Sequence, residues 1–306
     1  MPEGRDLLFL LAGIIGIGTS GPLIALSAMP ILTLIFWRNL GGAILISPFA
    51  LRSINSLRER EVEDGKNEFR VGIRWSVFAG LALAAHFIFF FLSMRLTTVA
   101  AGTALTALQP IFAAFFVARL GGHIPKRAWV GMAISFIGVL VITGVDFGIS
   151  YRAFLGDLSA ILCAALAAIY VILGSRAQQH VSTSIYTTTC YLTCSITALV
   201  VALLSGSQIA HFKVREWLLL LALIAGAQIL GHTMFNMTLP RVSPAIVSLI
   251  VFFEVPVSAL LAYWWIGQLP PAGTIPGLIL LLLGCAIFVI RNRNDYISKN
   301  SVAEKP

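Results

Sequence analysis

Residues 79–95 read AGLALAAHFIFFFLSMR, and residues 225–241 read AGAQILGHTMFNMTLPR. Ala, Gly, His, Phe and Arg recur at the same places in both stretches, with a constant offset of 146 residues. The agreement continues to residue 138, so that eleven identical pairs fall within sixty positions. Most of these pairs are Gly, Pro, His or Arg, which apolar sequences match by chance less readily than Ala or Leu. The chain therefore contains two copies of one unit. The pairs are Ala79/Ala225, Gly80/Gly226, His86/His232, Phe89/Phe235, Arg95/Arg241, Pro110/Pro256, Ala113/Ala259, Gly121/Gly267, Pro125/Pro271, Gly131/Gly277 and Gly138/Gly284.

The composition of the chain indicates a membrane protein. Hydrophobic residues make up 58% of the 306 residues, charged residues make up 11%, and the mean hydropathy is +0.92. Soluble domains carry about 25% charged residues, so this chain lacks the polar cover that a surface in water requires. The net charge of +8 does not point to nucleic acid, because the basic residues lie in short connections between apolar runs. A lipid bilayer is the expected partner, and no nucleic acid is expected.

Ten apolar runs are each long enough to cross a bilayer as a helix, which takes about 20 residues. The sequence therefore predicts an all-α membrane protein of ten transmembrane helices, five in each copy of the repeat. We expect the first five-helix half over residues 1–145, the second over 155–291, and a cytoplasmic tail over 292–306. The charged stretch 52–72 is expected to be the one sizeable hydrophilic loop, on the cytoplasmic side. The predicted spans are 7–28, 30–51, 73–93, 97–118, 128–145, 155–175, 184–204, 215–236, 244–265 and 272–290.

An odd number of helices in each half forces the second copy to enter the membrane with the opposite orientation. Such inverted repeats are typical of secondary transporters, in which the solute binds near the midplane between the halves. With the N-terminus in the cytoplasm, sixteen Lys and Arg residues lie on the cytoplasmic side and four on the outer side. This bias follows the positive-inside rule. It predicts that both termini are cytoplasmic, and we expect a bacterial inner membrane.

Ionisable side chains inside a membrane are costly, so each one is a candidate for function. His86 and His232 occupy mirrored places in the third and eighth predicted helices. An imidazole can hydrogen-bond a polar solute while neutral, or change its charge near neutral pH. Gln228, His232 and Asn236 follow one another at four-residue spacing, which places them on one helix face. We predict that these four side chains line a solute site, with helix-to-helix hydrogen bonding as the alternative role.

Two prolines at matched positions accompany polar residues in the fourth and ninth predicted helices. Proline removes a helical hydrogen bond and leaves the carbonyl four residues earlier without its donor. Gln109 precedes Pro110, and Glu254 lies two residues before Pro256. We expect Gln109 and Glu254 to contact the solute, and the two prolines to act as hinges or to shape the cavity. For Glu254 the alternatives are that it carries a proton or pairs with another helix. Arg38, near the middle of the second helix, is at a similar depth to Glu254 and could neutralise it or serve as scaffold.

Residues 104–116 read ALTALQPIFAAFF, and residues 253–257 read FEVPV. Together with FWRN at residues 36–39, these segments resemble the repeat of the drug/metabolite transporter superfamily, EamA type. The resemblance implies a ten-helix fold, a cytoplasmic N-terminus, and export or exchange of amino acids, metabolites or drugs. The family usually carries Leu-Gly-Glu after the fourth and ninth helices, whereas Gly122 and Gln268 replace those glutamates here. The coupling mechanism of other members is therefore not carried over.

These observations predict a secondary transporter that moves small solutes by alternating access, with export of amino acids or related metabolites as the leading hypothesis. A lipid-handling or structural membrane protein is the alternative. No enzyme is expected, because the sequence has neither an H-E-x-x-H pair nor a G-x-S-x-G elbow. No phosphate-binding loop of the Walker type is found, so gradients or exchange are expected to supply the energy. No cofactor or metal is expected, and the oligomeric state is left open.

Overall fold

The computed structural model describes residues 4–58, 63–119, 128–238 and 253–288, and these residues form helices joined by short turns, with no β-strand among them. The helices are numbered here in chain order. They are α1 Gly4–Gly18, α2 Ser20–Leu26, α3 Ile31–Arg58, α4 Glu63–Leu96, α5 Val99–Thr106, α6 Gln109–Arg119, α7 Ala128–Ile149, α8 Tyr151–Ala177, α9 Thr183–Leu204, α10 Val214–Leu223, a π-helical stretch Ile224–Thr233, α11 Met234–Thr238, α12 Glu254–Ile266, a 3-10 turn Ala272–Thr274, and α13 over 275–288.

Eight helical segments of the described residues are long and apolar enough to cross a membrane. They correspond to the first eight predicted spans, and a shorter apolar helix, Ala272–Phe288, corresponds to the tenth. The ninth predicted span, 244–265, contains α12 in its second half, and its residues before 253 lie outside the described part. The prediction of an all-α membrane protein is therefore confirmed.

The charged stretch 52–72 is not a loop over its described residues. Helix α3 continues to Arg58 and α4 already begins at Glu63, so that residues 52–58 and 63–72 are helical. The prediction of a sizeable loop was wrong here because Glu, Arg and Lys are good helix formers. Opposite charges three or four residues apart also stabilise a helix in water. An apolar run shows where a helix crosses the membrane, and the helix itself extends further.

Helices of the first half pack mainly against helices of the second half, and the pairs are related by the repeat. Helix α4 packs along α8, and the counterpart of α4 in the second copy, the π-helical stretch, packs along α1. Helix α3 packs along α9, its own repeat copy, and α5, in the fourth predicted span, packs along α12, in the ninth. Helix α7 likewise meets α13. A two-fold axis between inverted copies generates this pattern of contacts.

The closest of these contacts joins α7 to α13 through glycine. A Cβ at Gly138 would lie 2.5 Å from the backbone nitrogen of Leu281, and a Cβ at Gly284 would clash with the backbone nitrogen of Ser135. The Ser135 hydroxyl donates to the carbonyl of Leu281 at 3.3 Å. Because Ser135 and Leu281 are equivalent positions of the two copies, the two-fold axis passes between them. Small residues let membrane helices approach closely in this way.

Three of the spans are interrupted within the membrane. Helix α1 ends at Gly18 and α2 begins at Ser20, while α5 ends at Thr106 and α6 begins at Gln109. The π-helical stretch interrupts the span that α10 begins. Backbone groups that leave the regular helical pattern inside a membrane need other partners or a polar cavity. These interruptions are therefore the places where a polar site can be built.

Candidate functional site

Arg38 of α3 is fully buried and forms the centre of a polar cluster between the two halves. Its Nε donates to Oε1 of Gln228 at 2.6 Å, and its Nη1 donates to the hydroxyl of Ser20 at 3.5 Å. The guanidinium also lies over the ring of Phe87, 4.3 Å from the centroid. Its Nη2 is buried and has no hydrogen-bond partner among the described residues. Because a guanidinium presents five N–H donors, Nη2 can bind a further acceptor.

Gln228, in the π-helical stretch, hydrogen-bonds to Arg38 and to Asn39, its neighbour in α3. Nε2 of Gln228 donates to Oδ1 of Asn39 at 3.3 Å, and Nδ2 of Asn39 donates to the carbonyl of Ile35 at 2.8 Å. This chain of hydrogen bonds fixes the Gln228 amide with its oxygen toward Arg38. The sequence predicted that Gln228 lines a solute site, and the structure places it as the group that orients the guanidinium. Asn39 was not predicted, although it is the polar neighbour of Arg38 in the sequence.

His86 and His232 both contact Phe87, the same ring that Arg38 covers. The ring of His232 meets Phe87 edge to face at 5.5 Å, and the ring of His86 lies 5.2 Å from it. Nδ1 of His86 donates to the carbonyl of Cys163 in α8 at 3.1 Å. His232 lies within electrostatic range of both Arg38 and His86. The structure thus brings together the two histidines that the repeat relates.

Glu254 is half-buried at the first residue of α12 and interacts electrostatically with Arg38. No ion pair within 4.0 Å joins the two groups in the described parts of the chain. The opposite charges are therefore near each other without being in contact. Pro256 is the third residue of α12, and the carbonyl that it leaves without a donor belongs to Phe252, which is outside the described residues.

The stretch that carries Gln228 and His232 is π-helical, which the sequence did not indicate. π-Helical turns close hydrogen bonds between residues five apart, and the hydroxyl of Thr233 donates to the carbonyl of Gln228 at 2.9 Å. The predicted polar stripe assumed α-helical turns of 3.6 residues, so its geometry differs from the prediction. Asn236 lies in α11, and its side chain is outside the described part, so its role stays a prediction. Single π-turns are frequent at functional sites.

Gln109 and Pro110 lie at the beginning of α6, after a break in the helix at residues 107–108. Gln109 is half-buried, and no hydrogen bond between its side chain and the cluster is found in the residues that the structure describes. Thr106, at the end of α5, has its hydroxyl 3.8 Å from Sγ of Cys163. Cys163 also accepts the hydrogen bond from His86, so it connects the break between α5 and α6 to the cluster. The predicted solute contact of Gln109 stays a prediction.

Comparison with known proteins agrees with this architecture. The model of the EamA-like transporter family matches residues 5–144 and, separately, residues 154–290. The pseudopaline exporter CntI of Pseudomonas aeruginosa is 24% identical over 264 residues, which are 85% of this chain and 87% of that protein. A protein of known crystal structure has the same fold, with a TM-score of 0.64 and 19% identity, over 95% of this chain and 99% of its own.

Proposed function

The chain belongs to the EamA-like transporter family, and we propose that it exports a small zwitterionic metabolite of the amino-acid class. Family membership makes it an integral membrane transporter. The substrate class is supported by Nη2 of Arg38, which has no partner among the residues that the structure describes and is buried within electrostatic range of Glu254. Export, as the direction, is supported by the relative from Pseudomonas aeruginosa, which is named as an exporter.

A carboxylate is the group that fits Arg38 best. A guanidinium binds carboxylates through two parallel N–H donors, and the low dielectric of a buried site strengthens the pair. An incompletely paired cation is costly in such a site, so a ligand carboxylate offsets part of that cost when it binds. Gln228 and Ser20 hold the guanidinium in place before the ligand arrives. This preorganisation reduces the entropy that binding must remove.

Glu254 supplies the opposite charge for the ammonium group of the same ligand. A ligand with both charges satisfies Arg38 and Glu254 together, whereas a ligand with one charge leaves the other side chain unpaired. The rings of His86 and His232 add hydrogen-bonding groups beside the site, and Phe87 adds an apolar wall. An amino acid has this combination of groups on a small frame.

The two copies of the repeat, proposed as halves over residues 1–145 and 155–291, supply the movement. In inverted-repeat transporters one half rocks against the other around a fixed site near the midplane. Pro110, which follows the helix break at residues 107–108, and Pro256, the third residue of α12, are proposed as the hinges. The excess of Lys and Arg at one side supports the location of both termini in the cytoplasm, and the membrane is proposed to be a bacterial inner membrane.

Counterflow in liposomes tests this function without knowledge of the driving ion. Purified protein is reconstituted with a panel of unlabelled amino acids inside, and uptake of the labelled amino acid is followed. We expect saturable uptake of at least one free amino acid. Its methyl ester, which lacks the carboxylate, and its N-acetyl derivative, which lacks the ammonium, are expected not to compete. Competition by both derivatives at the level of the free amino acid would refute the zwitterion site.

Variants of Arg38 test the residue that carries the proposal. Arg38→Gln removes the charge and is expected to reduce affinity by roughly 10- to 100-fold, because a hydrogen bond to a charged group contributes about 1.5–3 kcal/mol. Arg38→Lys keeps the charge without the planar fork and is expected to be intermediate. Arg52→Gln, at the exposed end of the same helix, is the control and should transport normally. Lipid movement in place of solute uptake would favour the lipid-handling alternative.

A further inference from the structure

A pair of buried aspartates lies at the end of the bundle where α7 is followed by α8. Asp146 is 2% exposed and Asp157 is fully buried, and their carboxyl groups are neighbours that act on each other electrostatically. The hydroxyl of Thr97 donates to Oδ2 of Asp146 at 2.9 Å. A Cβ at Gly156 would lie 2.7 Å from the backbone nitrogen of Thr97. Close packing of the backbone at this point therefore sets the position of the pair.

Asp157 lacks the donors that a carboxylate requires. Both of its oxygens are buried. When both aspartates are ionised, neither oxygen of Asp157 accepts a hydrogen bond from the residues that the structure describes. An isolated buried carboxylate costs several kcal/mol. Two side chains lie beside Asp157, the hydroxyl of Thr97 and the carboxyl of Asp146. The single hydroxyl proton of Thr97 is already donated to Asp146, and the carboxyl of Asp146 becomes a donor only when the pair carries a proton.

No cation neutralises the pair in the part of the chain that the structure describes. Of the helices that pack around the pair, α4 carries Arg95 and α8 carries Arg152 at this end, and neither forms an ion pair with Asp146 or Asp157. Arg152 instead donates to the carbonyl of Arg95 at 3.2 Å. Tyr151 is exposed, while α5, the turn Ala272–Thr274 and α13 contribute no charged residue.

We propose that Asp146 and Asp157 hold one proton between them and that this proton is exchanged for the substrate during transport. Two adjacent carboxylates away from water cannot both be ionised at low cost. One shared proton turns one of them into a donor for the other, and this donor is what Asp157 lacks. Asp146 belongs to the last helix of the first half and Asp157 to the first helix of the second half. Movement of the halves would therefore change their separation and their affinity for the proton.

The exchange rests on the proposed function, whereas the shared proton does not. Proton occupancy is tested by infrared spectroscopy of the purified protein at neutral pH, with and without 13C-labelled aspartate. A protonated carboxyl band that shifts on labelling is expected, because the label separates aspartate from Glu254. The chain has five aspartates: Asp6, Asp64, Asp146, Asp157 and Asp295. Asp157→Asn should remove the band, and Asp64→Asn, in the charged stretch at the beginning of α4, should retain it.

Two results of the same infrared experiment would overturn the shared proton. The absence of a labelled band in the wild-type protein, which needs no variant to fold, would overturn the shared proton. Sodium is the competing occupant of an oxygen-rich site. Displacement of the band by sodium chloride, with no effect of potassium chloride, would identify a sodium site and overturn the assignment to a proton.

Transport driven by a pH gradient tests the exchange. One proton exchanged per substrate across one pH unit drives a roughly tenfold accumulation, because a tenfold ratio equals about 1.4 kcal/mol. Asp157→Asn should abolish this accumulation while counterflow, which needs no gradient, persists. Equal accumulation by Asp157→Asn, Asp146→Asn and the wild type would overturn the exchange. A labelled band without any solute transport would support the proton site and contradict the proposed function. Counterflow without the band would support the proposed function and contradict the proton site.

Discussion

Arg38 illustrates how a charged side chain is kept inside the membrane part of this protein. A hydrogen bond to a charged group contributes about 1.5–3 kcal/mol, and a cation over an aromatic ring contributes about 0.5–2 kcal/mol. Gln228 and Phe87 supply one of each at short distance. Burial of a charge costs several kcal/mol, so these contacts offset only part of the penalty. The part of the burial penalty that these contacts do not offset is the reason to expect a ligand at Nη2 of Arg38.

Gln228→Ala is expected to destabilise the protein. The substitution leaves Nε of Arg38 and Oδ1 of Asn39 without partners, and a buried unsatisfied group costs about 1–3 kcal/mol. A lower midpoint of thermal unfolding in detergent, together with weaker substrate affinity, is the expected result. Gln179→Ala, at an exposed position, is the control and should leave both unchanged. An unaltered midpoint in Gln228→Ala would contradict the orienting role.

The two histidines are expected to differ although the repeat relates them. His86 donates to the backbone of α8, and no hydrogen bond of the His232 side chain is found in the described ranges. His86→Ala should therefore lower thermal stability by about 1–2 kcal/mol through the lost hydrogen bond and packing. His232→Ala should change the KM of transport with a smaller change in stability. Equal losses of stability in both variants would show that the histidines play one structural role.

At the scale of the elements, the sequence predicts the helices well and their ends poorly. Apolar runs of about 20 residues have few alternatives to a spanning helix, and the match of the EamA-like family to both copies confirms the resemblance seen at residues 104–116 and 253–257. The stretch 52–72 was misassigned because helices continue past the membrane on charged residues. The π-helical turns could not be predicted, because they depend on close packing between α1 and the stretch Ile224–Thr233.

Gly284→Ala tests the contact between α7 and α13. The added methyl group would clash with backbone and side-chain atoms of Ser135, and overpacking of a tight interior costs about 1–3 kcal/mol. We therefore expect a clear fall in the midpoint of thermal unfolding. Gly144→Ala in α7 is the matched control, since nothing lies within 4 Å of its added Cβ. It should be neutral or stabilising by up to about 1 kcal/mol. The same midpoint for both variants would refute the tight contact.

At the scale of the whole molecule, the repeat predicts which helices correspond but not which side chains meet. Arg38, His86, His232 and Glu254 were each singled out by the cost of placing an ionisable group in a membrane, and they lie in one cluster. The hydrogen bond from Arg38 to Gln228 joins positions that are 190 residues apart. Such pairs are set by the packing of the two copies, for which one sequence contains no pattern.

The two halves are also joined at the end of the bundle where α2 ends. Oε2 of Glu216 in α10 accepts hydrogen bonds from the hydroxyl of Ser27 at 2.7 Å and from the backbone nitrogen of Ala28 at 2.8 Å. Arg95 of α4 donates to the carbonyls of Ser27 and Met29. The connection between α2 and α3 is thus held by one residue from each half. Under the proposed alternating access the halves would separate at this end in every cycle, so we expect these hydrogen bonds, here called the clamp, to open each time.

Glu216→Ala is expected to loosen the clamp and change the speed of transport without changing the site. The loss of two hydrogen bonds to a carboxylate should speed amide hydrogen exchange at residues 27–29 by tenfold or more, since about 1.4 kcal/mol corresponds to a factor of ten. Arg215→Ala is the milder comparison. It removes an ion pair with Glu216 in which Arg215 is 60% exposed, and such a surface pair contributes about 0–1 kcal/mol; it also removes one long hydrogen bond to the carbonyl of Leu26, at 3.4 Å. Counterflow should keep its KM in Glu216→Ala while its rate changes, because Arg38 and Glu254 lie elsewhere. Unchanged exchange at residues 27–29 would show that Glu216 does not hold this end of the bundle closed.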